Sequence, residues 1–151
     1  MTDRENMTEY VTAGIGGELF GIPITRVQDV FVPDRLAQVP LSAPEIAGLL
    51  NVRGRILTVI DMWKRLDLPR KQTGNRQLAL GVELNGESYG LLIDRIGEVL
   101  KVTAASREDP PINLDRKLAH VCAGVHRLDG ELMLVLDLDR VLEFAPAAKA
   151  A

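Results

Sequence analysis

Short apolar stretches separated by glycine-containing turns run through the whole chain, and this pattern predicts β-strands. EYVTAGI (9–15) and RQLALGVEL (76–84) resemble strands, and each is followed by a turn sequence, IGGE or LNGE. NVRG and RLDG each separate two apolar runs and predict hairpin turns, with Gly where a positive φ is tolerated. Asp61 and Asp137 follow the second strand of each hairpin and predict the N-caps of short helices.

The same pattern occurs twice in the chain. GELFGIPITRVQDV (17–30) and GESYGLLIDRIGEV (86–99) are identical at six of fourteen positions, and AGLLNVRGRILTVIDMWKRL (47–66) corresponds to AGVHRLDGELMLVLDLDRVL (123–142). A repeat of this length indicates two copies of one supersecondary unit. Several short strands and one terminal helical turn per copy predict an all-β fold of two small barrel-like units with short helices.

The repeat also defines the predicted domain organisation. We predict a single domain over residues 9–144, with a first repeat at about 9–69 and a second at about 76–144. The sequence does not decide whether strands near the boundary are exchanged between the two units. The flanking residues 1–8 and 145–151 are predicted to be flexible tails.

Two apolar runs, ILTVI (56–60) and LMLVL (132–136), carry apolar side chains on both faces of a strand, because successive residues of a strand face opposite ways. One face fills the inside of a small barrel, so the other face must be covered from outside. The simple cover is the other copy of the repeat. Apolar area left uncovered would mark contact with a different protein, and we take this surplus as the physical basis of an interaction surface.

Composition and charge narrow the possible functions. The chain of 151 residues has a net charge of -3 and no block of like charge, which disfavours binding to nucleic acid or to an anionic membrane. Its one cysteine, Cys122, cannot form an internal disulfide, and no secretion signal or bilayer-spanning apolar run is evident. We therefore predict a cytoplasmic protein without membrane insertion.

Residue patterns typical of catalysis are missing from the sequence. GIGGELFG (14–21) resembles a phosphate-binding loop, but Leu19 stands where a third glycine is needed. His120, Cys122 and His126 would share one face of an extended strand and could hold zinc, although their spacing matches no common zinc site. We predict a protein that is not an enzyme and has no catalytic residues, metal or cofactor, with a metal- or small-molecule-binding double barrel as an alternative.

Arg53 lies in the predicted NVRG turn, and comparison of the two copies of the repeat indicates two possible roles for it. In the first copy, Asp29 and Arg53 carry opposite charges, whereas the two corresponding residues of the second copy are both acidic. A surface pair of Asp29 with Arg53 would contribute only about 0.2 to 1 kcal/mol, too little to be a requirement of the fold. Either it is an incidental surface pair, or Arg53 is an oriented polar group beside Val27 and Val30 that serves as a docking site for a partner helix or strand.

Four segments, in this order, carry a resemblance to a known family: YVTAGIGGELFGIPITRVQDV, APEIAGLLNVRGRILTVIDM, GLLIDRIGEVL and GVHRLDGELMLVLDLDRVL. From about Glu9 to Phe144 the chain resembles the CheW family of bacterial chemotaxis coupling proteins. The resemblance implies two SH3-like five-stranded β-barrels packed together. It also implies a non-catalytic adaptor that joins chemoreceptor cytoplasmic tips to the regulatory domain of the histidine kinase CheA, at membrane-associated receptor arrays. A coupling protein of a parallel chemosensory system, such as one for surface motility, is a variant of this interpretation.

The resemblance also implies site residues. Val27, Asp29 and Arg53 correspond to residues of the family's receptor-binding groove, and Val30 adjoins them. A kinase-binding patch on the first barrel corresponds to four further residues: Ala47, Gly48, Ile56 and Thr58.

The chain departs from the family's pattern in three places. Thr58 stands where a proline is common, and the segment 44–48 is one residue shorter than usual. Trp63 stands where a basic residue is common; it either covers a barrel end or offers an exposed anchor to a neighbouring protein.

Overall fold

The computed structural model describes residues 6–70 and 77–144. Over these ranges the chain forms strands and three short α-helices. The strands are β1 Met7–Ile15, β2 Glu18–Pro23, β3 Val27–Phe31, β4 Ile46–Val52, β5 Arg55–Ile60, β6 Leu78–Leu84, β7 Glu87–Ile93, β8 Arg95–Thr103, β9 Arg107–Glu108, β10 Cys122–Leu128 and β11 Glu131–Leu136. The helices are α1 Met62–Leu66, α2 Arg116–Val121 and α3 Leu138–Val141.

The strands form two sheets, of order β8-β1-β2-β11-β10-β9 and β3-β6-β7-β5-β4. The predicted all-β fold of two packed units is confirmed, and the six-stranded sheet exceeds the expected five strands by β9, which has two residues. Each copy of the repeat contributes strands to both sheets. The copies meet in four strand pairs: β2 with β11 and β5 with β7 are parallel, and β1 with β8 and β3 with β6 are antiparallel. The pairs within one copy are antiparallel.

The local sequence signals fold as expected. The NVRG turn has positive φ at both Arg53 and Gly54, which matches the twist of a tight hairpin. Asp61 accepts a hydrogen bond from the backbone N–H of Lys64 at 3.1 Å and so caps α1. Asp137 caps α3 in the same way. β1 begins at Met7, two residues inside the segment predicted as a tail.

One continuous apolar core spans both sheets and all three helices, and a smaller cluster fills the six-stranded sheet. Both faces of β11 are buried in these two clusters. Leu134 and Leu136 lie in the shared core, whereas Met133 and Val135 pack with Tyr10 in the smaller cluster. The expected surplus of apolar surface is therefore wrong for LMLVL, because the chain itself covers both faces of the strand.

In ILTVI the exposed apolar surface is limited to one side chain. Leu57 to Ile60 are buried, and Ile56 is 50 % exposed. Other large apolar side chains that stay exposed on strands lie mainly near the outer strands β3 and β8, at Val30, Ile96 and Val99. Outside the strands, the exposed large apolar side chains are Ile24, Val32, Leu41 and Ile112. The exposed apolar surface therefore consists of separate side chains and not of whole strand faces.

Trp63 is buried and connects the two sheets. Its indole Nε1–H donates to Asp94 Oδ2 at 3.0 Å, and the same carboxylate oxygen accepts from the backbone N–H of Gly16 at 2.6 Å. The Arg70 guanidinium lies 4.2 Å from the centre of the indole ring. Of the two roles left open by the sequence, Trp63 has the covering one, and it is not an exposed anchor.

Trp63→Phe is expected to lower the free energy of unfolding by about 1–3 kcal/mol, because it leaves Asp94 without one of its two donors while most of the apolar packing stays. Urea denaturation of the two proteins measures this difference. Arg70→Ala, which removes only the exposed stacking partner, is the control and should change the free energy of unfolding by less than about 1 kcal/mol. Equal losses in the two variants would contradict the role given to the Trp63–Asp94 hydrogen bond.

In the described part of the chain, no helix has the length and apolar character needed to cross a bilayer.

Candidate interaction site

β3 is an outer strand of the five-stranded sheet and carries three of the predicted site residues. Val27 is half-buried against the core, whereas Asp29 and Val30 are exposed. The register passes from Val27 opposite Val82 to Asp29 opposite Gly81, so Gln28 is an extra residue that forms a bulge. A bulge at a sheet edge redirects the side chains beside it.

Arg53 lies at the tip of the β4–β5 hairpin with φ of 53°. This left-handed conformation disfavours most residues other than Gly, Asn and Asp. The equivalent position of the β6–β7 turn is Asn85, also at 53°, which is a favourable residue there. An arginine in this conformation is less stable than an asparagine would be, so the turn conformation does not account for its presence.

The chain that follows β3 connects the first strand of the five-stranded sheet to its last strand, β4. The chain after β3 forms a bridge to β4, in which Ala37 and Leu49 exchange backbone hydrogen bonds of 2.8 and 2.9 Å. Asp29 and Arg53 therefore line one small pocket of about 50 Å³, together with Arg55. The structure thus brings the two charged residues of the predicted receptor-binding set to one place.

A shallow groove of about 600 Å³ adjoins this pocket, and Arg53 belongs to the walls of both. Apolar atoms from Phe31, Val32 and Leu50 line the groove, and Arg35 adds a second cation. We call the pocket and the groove together the Arg53 groove. Its mixture of apolar side chains, two exposed arginines and the exposed Asp34 suits an amphipathic partner segment.

The ion pair considered between Asp29 and Arg53 is not formed: among residues 6–70 and 77–144, no salt bridge within 4 Å joins them. The second arginine of the pocket, Arg55, does form contacts within the chain. It donates to Gln28 Oε1 at 3.0 Å and also contacts Ser88 Oγ. Asp29 and Arg53 thus share a pocket without neutralising each other, and both charges stay available to a partner.

The four residues predicted to bind the kinase lie close together on β4 and β5 but differ in accessibility. Thr58 is 2 % exposed and Gly48 is buried, and a Cβ at Gly48 would lie 2.8 Å from the backbone oxygen of Ala37. Ala47 is half-buried. Ile56 is therefore the residue of this set that presents a large side chain to solvent.

The predicted zinc ligands do not form one site. His120 is exposed and contacts Glu143, whereas His126 is buried, with Nδ1 2.9 Å from Ser106 Oγ. The Cys122 thiol donates to the Gly124 backbone oxygen at 3.2 Å. Among the residues that the structure describes, no group of three His, Cys, Asp or Glu side chains is placed to hold a metal ion.

Burial lowers the pKa of His126, and the nearby positive charge of Arg107 lowers it further. The ring packs against Tyr10, and within the described residues its Nε2 has no hydrogen-bond partner. His126 therefore binds a proton at a higher pH in the unfolded chain than in the folded chain. The free energy of unfolding should be highest above about pH 6.5 and should fall as the pH drops below it.

His126→Gln is expected to reduce the loss of unfolding free energy between pH 7.5 and pH 5.5, measured by urea denaturation at each pH. His120→Gln is the comparison variant, because His120 is exposed and contacts Glu143, and it should not reduce this loss of unfolding free energy. The same pH dependence in the wild type and in His126→Gln would show that His126 is not its source.

The sequence model of the CheW-like domain matches residues 9–145, which is nearly the whole chain. The chain belongs to the CheW family of chemotaxis proteins. The boundaries of this match enclose both repeats and all the strands except the first two residues of β1.

Relatives of this CheW-family chain include three chemotaxis proteins named CheW. That of Treponema pallidum is 28% identical and aligns with 100% of this chain and 91% of its own length. Those of Thermotoga maritima and Bacillus subtilis are 24% and 23% identical, over 95% and 85% of this chain and 93% and 83% of their own lengths. The crystal structure of the scaffolding protein TtCheW from Thermoanaerobacter tengcongensis is similar in fold, with a TM-score of 0.81 and 26% identity over 91% of this chain and 94% of that one.

Sequence reasoning missed several residues of the Arg53 groove in this CheW-family chain. Phe31, Val32 and Arg35 line the groove, and the hydrogen-bonded pair of Arg55 and Gln28 lines the pocket. The contacts of Arg55 join positions 27 and 33 residues apart, and no local pattern signals them. The run from Phe31 to Arg35 follows directly on VQDV, so its closeness to the predicted site was the one available signal.

Proposed function

We propose that the chain is a non-catalytic chemotaxis adaptor that couples chemoreceptor cytoplasmic tips to the regulatory domain of the histidine kinase CheA. The proposal rests on membership of the CheW family and on relatives named as chemotaxis and scaffolding proteins. It places the protein in the cytoplasm, recruited to membrane-associated receptor arrays.

The Arg53 groove is the proposed receptor site, with Val27, Asp29, Val30 and Arg53 as its binding residues. The single observation that carries this assignment is Arg53 itself, an exposed arginine in an unfavourable backbone conformation, beside Asp29 and without an ion pair to it. Such a residue contributes little to the fold and offers a guanidinium that can bind a carboxylate through two hydrogen bonds. A receptor tip helix would lay apolar side chains in the groove and meet these charges at one end.

The proposed kinase site is the surface of β4 and β5 around Ile56. Ile56 is half exposed, and burying such a side chain in an interface stabilises a complex by an amount on the order of 1 kcal/mol or more. Ala47, Gly48 and Thr58 belong to the same proposed site. Thr58 and Gly48 are buried, so their part in it is to set the shape and position of the strands.

Binding of the purified chain to a soluble receptor cytoplasmic fragment and to the isolated kinase regulatory domain tests the proposal, for example by isothermal titration calorimetry. The adaptor function requires binding to both, and a ternary complex when all three proteins are mixed. Failure to bind either protein would overturn it. Competition of the receptor fragment with the kinase domain for one site would also overturn it.

A further inference from the structure

Gly81, on β6, lies directly opposite Asp29 in the register of the five-stranded sheet. A Cβ atom built at Gly81 would overlap Oδ1 of Asp29, whereas the Asp29 Cγ and backbone oxygen would be at 3.4 Å, an ordinary contact. The space that a side chain at position 81 would need is thus taken up by the tip of the Asp29 carboxylate. The bulge at Gln28 and the missing side chain at Gly81 together let the carboxylate lie across the sheet.

Backbone geometry does not explain a glycine at this position. Gly81 does not belong to the glycines with positive φ, and it lies in the interior of β6 with regular pairing to Gly90 on β7. A glycine in a strand interior lowers stability relative to residues with side chains. The backbone conformation at position 81 would allow any residue, so the glycine is better explained by the space that it leaves for the Asp29 carboxylate.

The space determines where Asp29 presents its charge. With Gly81 beneath it, the Asp29 carboxylate lines the same small pocket as Arg53 and Arg55. A methyl group at position 81 would push the carboxylate away from the sheet. Asp29 is exposed and its carboxylate is the end of a flexible side chain, so this displacement would change its position without disturbing the core.

We propose that Gly81 is a positioning residue for partner recognition, which holds the Asp29 carboxylate beside Arg53 so that a partner meets an anion and a cation at a fixed separation. The inference rests on the proposed receptor-binding function of the Arg53 groove. It further specifies the partner: a segment that presents a basic or hydrogen-bond-donating side chain to Asp29 and an acidic or accepting one to Arg53.

The other sheet offers a matched control. Gly14, on β1, lies opposite Arg95 of the outer strand β8, and a Cβ at Gly14 would lie 2.8 Å from both Cγ and Nε of Arg95. There too a charged side chain of an outer strand lies over a buried glycine of the neighbouring strand. Gly14→Ala therefore makes the same chemical change in the same kind of place, away from the Arg53 groove.

The test is a double-mutant cycle on binding to the receptor cytoplasmic fragment, with Gly81→Ala, Asp29→Ala and the double variant. Gly81→Ala should fold and should weaken binding by about 10-fold, close to the effect of Asp29→Ala, because each removes the same charge-assisted contact. The double variant should bind no more weakly than Asp29→Ala alone, since no carboxylate is left to displace. Gly14→Ala should bind like the wild type.

The outcomes separate this inference from the proposed function. If the wild type binds and Asp29→Ala weakens binding, but Gly81→Ala does not or adds a full further loss to Asp29→Ala, the positioning role is wrong and the receptor site stands. If the wild type does not bind the fragment, the proposed function fails, and the inference with it.

A second readout needs no partner. The ¹³C resonance of the Asp29 side-chain carboxyl should shift in Gly81→Ala and stay unchanged in Gly14→Ala. An unchanged Asp29 resonance in Gly81→Ala would overturn the positioning role whatever the binding results.

Discussion

Arg53→Glu is expected to weaken binding to the receptor cytoplasmic fragment by at least about 30-fold and to change binding to the kinase regulatory domain by less than about 3-fold. Arg53 is exposed and has no salt bridge within the described residues, so its charge is free to meet a partner. The substitution removes a cation and places a second carboxylate in the pocket beside Asp29. A partner that offers an acidic group to Arg53 would then meet two negative charges.

Asp129→Lys is the matched control for this charge reversal, because Asp129 occupies the corresponding turn of the second repeat. It should leave binding to the receptor fragment unchanged. Equal losses of receptor and kinase binding in Arg53→Glu, with an intact fold, would contradict the assignment of separate sites to the two partners.

Arg53→Asn separates recognition from folding at the same position. Asparagine tolerates the left-handed conformation better than arginine, so this variant should be more stable than the wild type by about 0.5–1 kcal/mol in urea denaturation. It should nevertheless lose receptor affinity, since the guanidinium is gone. A variant that is both more stable and weaker in binding cannot be explained by misfolding.

Ile56→Asp is the second large effect that we expect, with a loss of at least about 30-fold in binding to the kinase regulatory domain and less than about 3-fold in binding to the receptor fragment. Ile56 is half exposed on β5, so the substitution should leave the core intact. In the complex, however, it replaces an apolar contact with a carboxylate that has to lose its hydration. Calorimetric titration with each partner measures both effects.

Val99→Asp is the control for Ile56→Asp, because Val99 is 49 % exposed on a strand of the other sheet. It makes an equivalent change at an equally exposed apolar position and should leave binding to the kinase domain within about 3-fold of the wild type. If Val99→Asp weakened kinase binding as much as Ile56→Asp, the kinase site could not be assigned to β4 and β5.

The repeat and its turns were predictable because they depend on local patterns. Alternating strands, the NVRG turn and the caps Asp61 and Asp137 each follow from a few neighbouring residues. The pairing of β2 with β11 joins residues more than a hundred positions apart, and strands that are apolar on both faces do not specify their neighbours. For the same reason the sequence overestimated the apolar surface of LMLVL, since it did not reveal what covers each face.

The candidate site was predictable in outline only. The comparison of the two repeats singled out Asp29 and Arg53, and the fold brings both into one pocket. The two side chains do not form an ion pair, and it is Arg55 that contacts Gln28 at the bulge, which no pattern in the sequence specifies. Gly81 could be recognised from the sequence, because a glycine inside a strand pattern indicates a close approach of another group.

The Arg53 groove is the surface to which the proposed function assigns receptor binding. Amide spectra of the ¹⁵N-labelled chain, recorded while unlabelled receptor cytoplasmic fragment is added, test this directly. We predict that the largest chemical-shift changes lie in β3 and in the turn around Arg53, with the turn around Asp129 unchanged. Changes centred on β8 and Asp129, with the Arg53 turn unaffected, would contradict it.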